Sequence, residues 1–244
     1  MPDGLTTDLV LGCAVLLGAC VQRLAGIGFA LVAAPVLVLL LGPGDGVRLS
    51  NVAAGAISAV GLPGGWRQVR LTAMLPLILA AACTVPAGAW VAAEVPEPGL
   101  FIGIGVLVSA ASLLVLRGVR AAALRGVGGA LVAGATSGFM NSAAGVGGPA
   151  VSLYAVNTGW TAREFVPNAQ FYGVVVNAFS LAAKGPPTLS VTAWWLVAAA
   201  LAGGAAVGRL LAARVPEARA RLVVLGLALA GGLTTLAKGV WGLG

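Results

Sequence analysis

Two short stretches of this 244-residue chain set amide or charged side chains beside a glycine-rich turn. The first is Gln22-Arg23-Leu24-Ala25-Gly26-Ile27-Gly28, with Pro35 further on. The second is Asn141-Ser142-Ala143-Ala144-Gly145-Val146-Gly147-Gly148-Pro149. In each, an apolar run breaks at polar residues and resumes through glycines, which let a backbone turn sharply and approach a ligand closely. A helix restarting at Gly147-Gly148-Pro149 presents free N–H groups and a positive dipole end, with Pro tolerated in its first turn. That chemistry suits an anion. Arg23 adds a guanidinium that matches an oxyanion through paired hydrogen bonds. An arginine within an apolar region is costly and therefore a functional candidate; between two full spans it would be one more surface charge. Neutral donors are also present. Asn51 and Gln170 are separated by the same 119 residues as Gln22 and Asn141, Asn168 and Asn177 lie near Gln170, and Thr136, Ser137 and Ser142 flank the second elbow. The candidate anion-binding set is thus Gln22, Arg23, Gly26, Gly28, Asn51 and Gln170, with Asn141, Ser142, Gly145, Gly147 and Gly148.

Other chemistries find little support. The chain has no His, and its Asp and Glu residues all map to loops or termini. Cys13, Cys20 and Cys83 lie in apolar runs without metal-ligand spacing and read as small packing residues. Neither catalysis nor a metal nor another cofactor is expected, and no phosphate-binding loop is present to support an ATP-driven pump.

The elements that must position these residues follow from composition. Hydrophobic residues make up 59% of the chain and charged residues 9%, against about 25% charged in soluble domains. Mean hydropathy is +1.03. This excludes a water-soluble globular protein and predicts an all-α polytopic membrane protein. Apolar segments are expected over 6–22, 24–41, 48–66, 70–93, 98–116, 126–140, 144–158, 165–183, 188–212 and 219–242. The elbows then read as two broken or re-entrant helices meeting near the midplane, because unwound backbone is tolerated at that depth only where buried or lining a cavity. Asp3 and Asp8 without a preceding Lys or Arg argue against a cleaved signal peptide. The six tryptophans fall mostly at segment ends, where they anchor the interface. The Gly134/Gly138 and Gly204/Gly208 pairs read as intramolecular packing.

The halves resemble each other. Val95-Pro96-Glu97 recurs as Val215-Pro216-Glu217, and the two elbows recur in the same order. Residues 1–120 and 121–244 are expected to be two repeats of five segments, and five being odd, the second is inverted. Charge agrees. With the 67–70 loop inside, ten of the fourteen basic residues share that face: Arg67, Arg70, Arg117, Arg120, Arg125, Arg163, Arg209, Arg214, Arg219 and Arg221. Arg48, Lys184 and Lys238 fall on the other face, with both termini outside. The net charge of +7 therefore reflects lipid topology rather than a nucleic-acid partner. The expected partners are a small anion and the bilayer, and no oligomer is indicated.

The glycine-rich elbow followed by Pro in each half, and the stretches from Gly88 to Pro96 and Gly208 to Pro216, give the chain a resemblance to the TauE/SafE family of membrane transporters over essentially its full length. The first elbow departs from a glycine-richer form, with Ile27 and Phe29 around Gly28. The resemblance implies export of sulfite, sulfoacetate or another organosulfonate across a bacterial-type inner membrane. An anion channel, an importer, or a non-transporting membrane subunit are the alternatives.

Overall fold

A computed structural model describes residues 4–117, 125–212, 214 and 217–243. The basic stretch over 118–124 and the Val215-Pro216 dipeptide of the second Val-Pro-Glu motif lie outside the described residues. Those described form nine α-helices: α1 (Gly4–Ala25), α2 (Phe29–Gly61), α3 (Leu71–Glu94), α4 (Glu97–Leu116), α5 (Gly126–Ala144), α6 (Gly148–Asn157), α7 (Ala162–Lys184), α8 (Val191–Ala212) and α9 (Glu217–Trp241). Two short 3-10 turns, Leu62–Gly64 and Trp66–Gln68, lead from α2 towards α3. Helix is the element that satisfies every backbone group without water, so apolar Ala-, Leu- and Val-rich runs in lipid have no other open-ended choice. Among the described residues, five helices (α1, α2, α3, α4 and α8) are long and apolar enough to cross a membrane. The protein is a multi-pass helical membrane protein.

Helix α2 is broken at Gly42 (φ 79°, ψ 167°), and Pro43 starts a second arm. The two arms fold back on each other: a Cβ on Gly46 would stand 2.6 Å from Val38 Cα. The composition of Gly42-Pro43-Gly44-Asp45-Gly46 predicts a loop to residue 47, but the turn is compressed to one residue. Gly42 supplies the positive φ, and Pro43 is tolerated in the first turn of the arm that follows.

Three larger apolar clusters hold the described helices, with a small one of Val21 and Val32 beside them. Leu11, Val15 and Ala19 of α1 meet Phe29, Leu37 and Ile57 of α2 and Val197 of α8. Val38 of α2 meets Phe101, Ile104 and Val108 of α4 and Ala228 of α9. Met74, Leu77 and Ala81 of α3 meet Ala130 and Ala133 of α5, Tyr154 of α6 and Tyr172 of α7. The Gly pairs pack within the chain: Gly134 and Gly138 press on the backbone of Leu77 and Ala81, and Gly204 and Gly208 on that of Leu16 and Cys20. The outer surface carries exposed Leu9, Leu79, Trp66, Trp90, Trp195 and Trp241, as a lipid-facing belt requires. Cys20 is buried, whereas Cys13 and Cys83 are exposed and so lie outside the packing.

Candidate site between the two elbows

The chain breaks between α1 and α2 at residues 26–28 and between α5 and α6 at residues 145–147. Gly26 (φ 77°), Gly28 (φ 125°) and Gly145 (φ 75°) take backbone conformations that a side chain disfavours. The polar residues do not form the breaks. Gln22 and Asn141 occupy the last turns of α1 and α5, one turn before the glycines. From there Gln22 Oε1 accepts from the Phe29 N–H (3.1 Å), capping the helix that restarts, and Nε2 donates to Ser58 Oγ (2.7 Å). Ser58 in turn donates to the Ala54 carbonyl (2.7 Å). At the second elbow Asn141 Nδ2 donates to Asn177 Oδ1 (3.1 Å) and Ser180 Oγ (2.9 Å), and Ser137 Oγ donates to the Gly147 carbonyl (2.8 Å).

The two elbows face one cavity of about 60 Å³. Roughly 10–15 Å³ admits one water, so the space suits a compact group of about four atoms. Gln22, Gly28, Ser58, Ser137, Asn141, Gly147, Gly148, Tyr172 and Asn177 line it with apolar neighbours such as Ile27, Val146 and Val176. Among the described residues, no charged side chain lines the cavity. Residues at the starts of α2 and α6 are among its lining, and a helix start carries the positive end of the dipole. The Tyr172 hydroxyl is buried without a hydrogen-bond partner, beside Ser137.

Of the expected site residues, Gln22, Gly28, Asn141, Gly147 and Gly148 line the cavity. The others stand behind it. Gly26 offers its carbonyl to Gln170 Nε2 (3.2 Å). Arg23 is half-buried and lies beside Gln170: a Cβ on Gly61 would stand 3.0 Å from Arg23 Nη1 and 2.9 Å from Gln170 Cδ. Asn51, turned so that both ends of its amide meet complementary groups, donates to Asn177 Oδ1 and the Asn141 carbonyl (3.3 Å each) and accepts from Lys184 Nζ (3.0 Å). Ser142 is buried with its hydroxyl unpartnered, and Gly145 packs against Ser50. Asn51 and Gln170 therefore do not face each other; each supports a different elbow. Asn168 lies elsewhere, accepting from the Arg70 N–H (2.8 Å).

Sequence reasoning missed Ser58, Tyr172, Ser180 and Lys184. For Ser58 a signal existed, because it stands 119 residues before Asn177, the spacing that links Gln22 to Asn141. Lys184 was assigned to a surface loop; its Nζ instead turns inward to the Ser142 carbonyl (2.6 Å).

No curated protein and no solved structure matches the chain. A family model does: the one described as sulfite exporter TauE/SafE, over residues 10–235. That match covers nearly the whole chain, including both elbows and the cavity between them, and the chain therefore belongs to the TauE/SafE sulfite exporter family.

Proposed function

We propose that the protein exports a small anion, sulfite or an organosulfonate, by alternating access around the cavity between the elbows. The observation that carries this reading is an uncharged cavity, lined by amides and hydroxyls among apolar side chains, at the meeting point of two restarted helices. Amides, hydroxyls and helix N-termini stabilise an anion without a fixed cation, so it can both enter and leave. Proton relays in membranes usually run through Asp, Glu or His, and none of these is among the described residues lining the cavity.

Alternating access rests on two inverted halves, residues 1–120 and 121–244, and several contacts support that repeat. The bonds from Gln22 to Ser58 and from Asn141 to Asn177 join residues displaced by 119 positions. Gly88 of α3 presses on Phe139 and Ser142 of α5, and Gly208 of α8 presses on Cys20 and Arg23 of α1. The break at Gly42 gives the first half five arms, matching α5 to α9. In our reading these ten segments sit in a bacterial-type inner membrane, with both termini on the outer face and the arginine-rich loops inside. Arg23 serves as the counter-charge on the inner approach.

The test is efflux from proteoliposomes loaded with sulfite or a small sulfonate, under a potassium–valinomycin potential. We expect efflux that rises with potential and falls sharply in Arg23→Gln and in the double variant Asn51→Ala, Gln170→Ala. Absence of flux for every sulfur oxyanion would refute the cargo assignment.

A further inference from the structure

Lys184 ends α7, and its ammonium turns inward towards the second elbow. It donates to the Ser142 carbonyl (2.6 Å) and to Asn51 Oδ1 (3.0 Å). Both acceptors are neutral. The ion pairs among the described residues are Arg48–Asp45 and Arg70–Glu164, so Lys184 has no carboxylate. Arg48 acts on it as a like charge and is itself paired with Asp45. Asp45 is further occupied by the Thr188 N–H and hydroxyl. A partly buried cation facing only neutral acceptors is under-compensated, and an anion is what completes it. Two hydroxyls at the second elbow lack partners. The Ser142 and Ser50 hydroxyls are fully buried and have no hydrogen-bond partner. Ser50 Oγ abuts Gly145, 3.3 Å from where a Cβ would stand. The cluster communicates with the cavity through one amide, since Asn51 contacts Asn141 and Asn177, which both line it.

The opposite elbow has the same composition from different positions. There Gln170 supports Gly26, with Arg23 beside it. Asn51 and Gln170 are 119 residues apart, but Arg23 corresponds to Ser142, and Lys184 to Gly65. Each elbow has acquired its own cation, so the pairing is not a by-product of the repeat.

We propose that Lys184, with the Ser50 and Ser142 hydroxyls, is a second anion-holding station on the side of the cavity opposite Arg23. The inference rests on the transport reading above. An oxyanion leaving the cavity past Asn51 takes the place of the Ser142 carbonyl at the ammonium and accepts from the two free hydroxyls. Two stations of moderate strength flanking a neutral cavity give an anion a path on which no single site traps it.

The experiment compares wild type with Lys184→Gln, Lys184→Arg, Ser50→Ala and, as a control, Lys238→Gln. Lys238 lies over the Phe101 ring, away from the cavity lining. Two readouts are taken with sodium sulfite: thermal stabilisation of the purified protein against sodium chloride, and initial efflux rates from proteoliposomes. Replacing a charge-assisted hydrogen bond by a neutral one costs about tenfold or more in affinity. We therefore expect half-saturation by sulfite to rise about tenfold in Lys184→Gln, with Lys184→Arg and Lys238→Gln close to wild type. Ser50→Ala, which removes no existing hydrogen bond, should raise it severalfold while leaving the sulfite-free melting temperature unchanged. Unaltered half-saturation in both Lys184→Gln and Ser50→Ala, with sulfite flux intact, would overturn this inference and leave the transport reading standing. Sulfite stabilisation that depends on Lys184, without flux, would support the station and refute transport. Neither stabilisation nor flux in wild type, with sulfite and with a small sulfonate alike, would refute both.

Discussion

Gly147 and Gly148 are neighbours in sequence, yet the structure assigns them opposite tolerances. A Cβ on Gly147 would stand 2.7 Å from Ser137 Oγ, 2.8 Å from the Ser137 carbonyl oxygen and 2.9 Å from Asn141 Cβ. Two of those contacts belong to the rigid last turns of α5, and the third, the Ser137 hydroxyl, is held by its bond to the Gly147 carbonyl. Overpacking of this kind costs about 1–3 kcal/mol, and losing the Ser137 bond adds about 1 kcal/mol. Gly147→Ala should therefore destabilise by about 2–4 kcal/mol. At about 2–4 °C per kcal/mol, the melting temperature in detergent falls by several degrees or more. On Gly148 the nearest contact of a new Cβ is Ile27 at 3.9 Å, an ordinary van der Waals distance. Gly148→Ala should fold as well as wild type, since alanine is the better helix former. Its methyl, however, extends from one elbow towards the other across a cavity of about 60 Å³. One methyl group in a fitted pocket is worth about 1–3 kcal/mol, so sulfite efflux should fall about tenfold or more. Melting curves and initial efflux rates on the two variants separate packing from passage. Wild-type melting for Gly147→Ala, or wild-type efflux for Gly148→Ala, would refute this account of the elbow.

Three other outcomes are expected. Gln22→Leu strips the cap from the Phe29 N–H and a partner from Ser58, and should cost about 1–3 kcal/mol; a double-mutant cycle with Ser58→Ala in chemical unfolding should show coupling of at least about 0.5 kcal/mol. Gly26→Ala meets two obstacles, a positive φ worth about 1–2 kcal/mol and Val166 Cγ2 at 2.8 Å; adding Val166→Ala should recover only the second part, read as an incomplete return of the melting temperature. Efflux of a divalent anion should run on membrane potential alone, because about 2.3 kcal/mol per charge at 100 mV doubles to roughly 4.6 kcal/mol, more than a thousandfold gradient. Strict dependence on a proton or sodium gradient at clamped potential would contradict it.

The elbows were legible because their signal is local. Glycines that interrupt an apolar run announce a turn, and Gly26, Gly28 and Gly145 do take positive φ. The place of the break was less legible. Polarity at Gln22 and Asn141 suggested that the chain turns there, but an amide one turn earlier in the helix can reach forward and cap the next one, as Gln22 does for Phe29. Asp45 misled in a similar way. Its setting among glycines and a proline predicts a loop, whereas it lies within α2 and binds Thr188 and Arg48. The 119-residue spacing drew attention to Asn51 and Gln170 as a pair, but the two do not meet: Gln170 bonds Gly26 at the first elbow and Asn51 bonds Asn141 at the second.

Charge was the hardest to place from sequence, and the reason bears on mechanism. A lysine near a helix end reads as a surface residue because its long stem lets the ammonium seek water. Lys184 uses the same stem to turn inward, a choice decided by the Ser142 carbonyl, 42 residues away, rather than by any local pattern. Arg23 likewise stands behind Gly26 instead of in the cavity. A cation fixed within the small cavity would bind an anion strongly at one depth and hold it there. Among the described residues only uncharged side chains line that space, and the proposed transport therefore assigns the cations to its approaches. In the export proposed above, an anion drawn in by the cation on one approach crosses the uncharged centre and leaves past the cation on the other, and a fixed charge at the centre would block that passage.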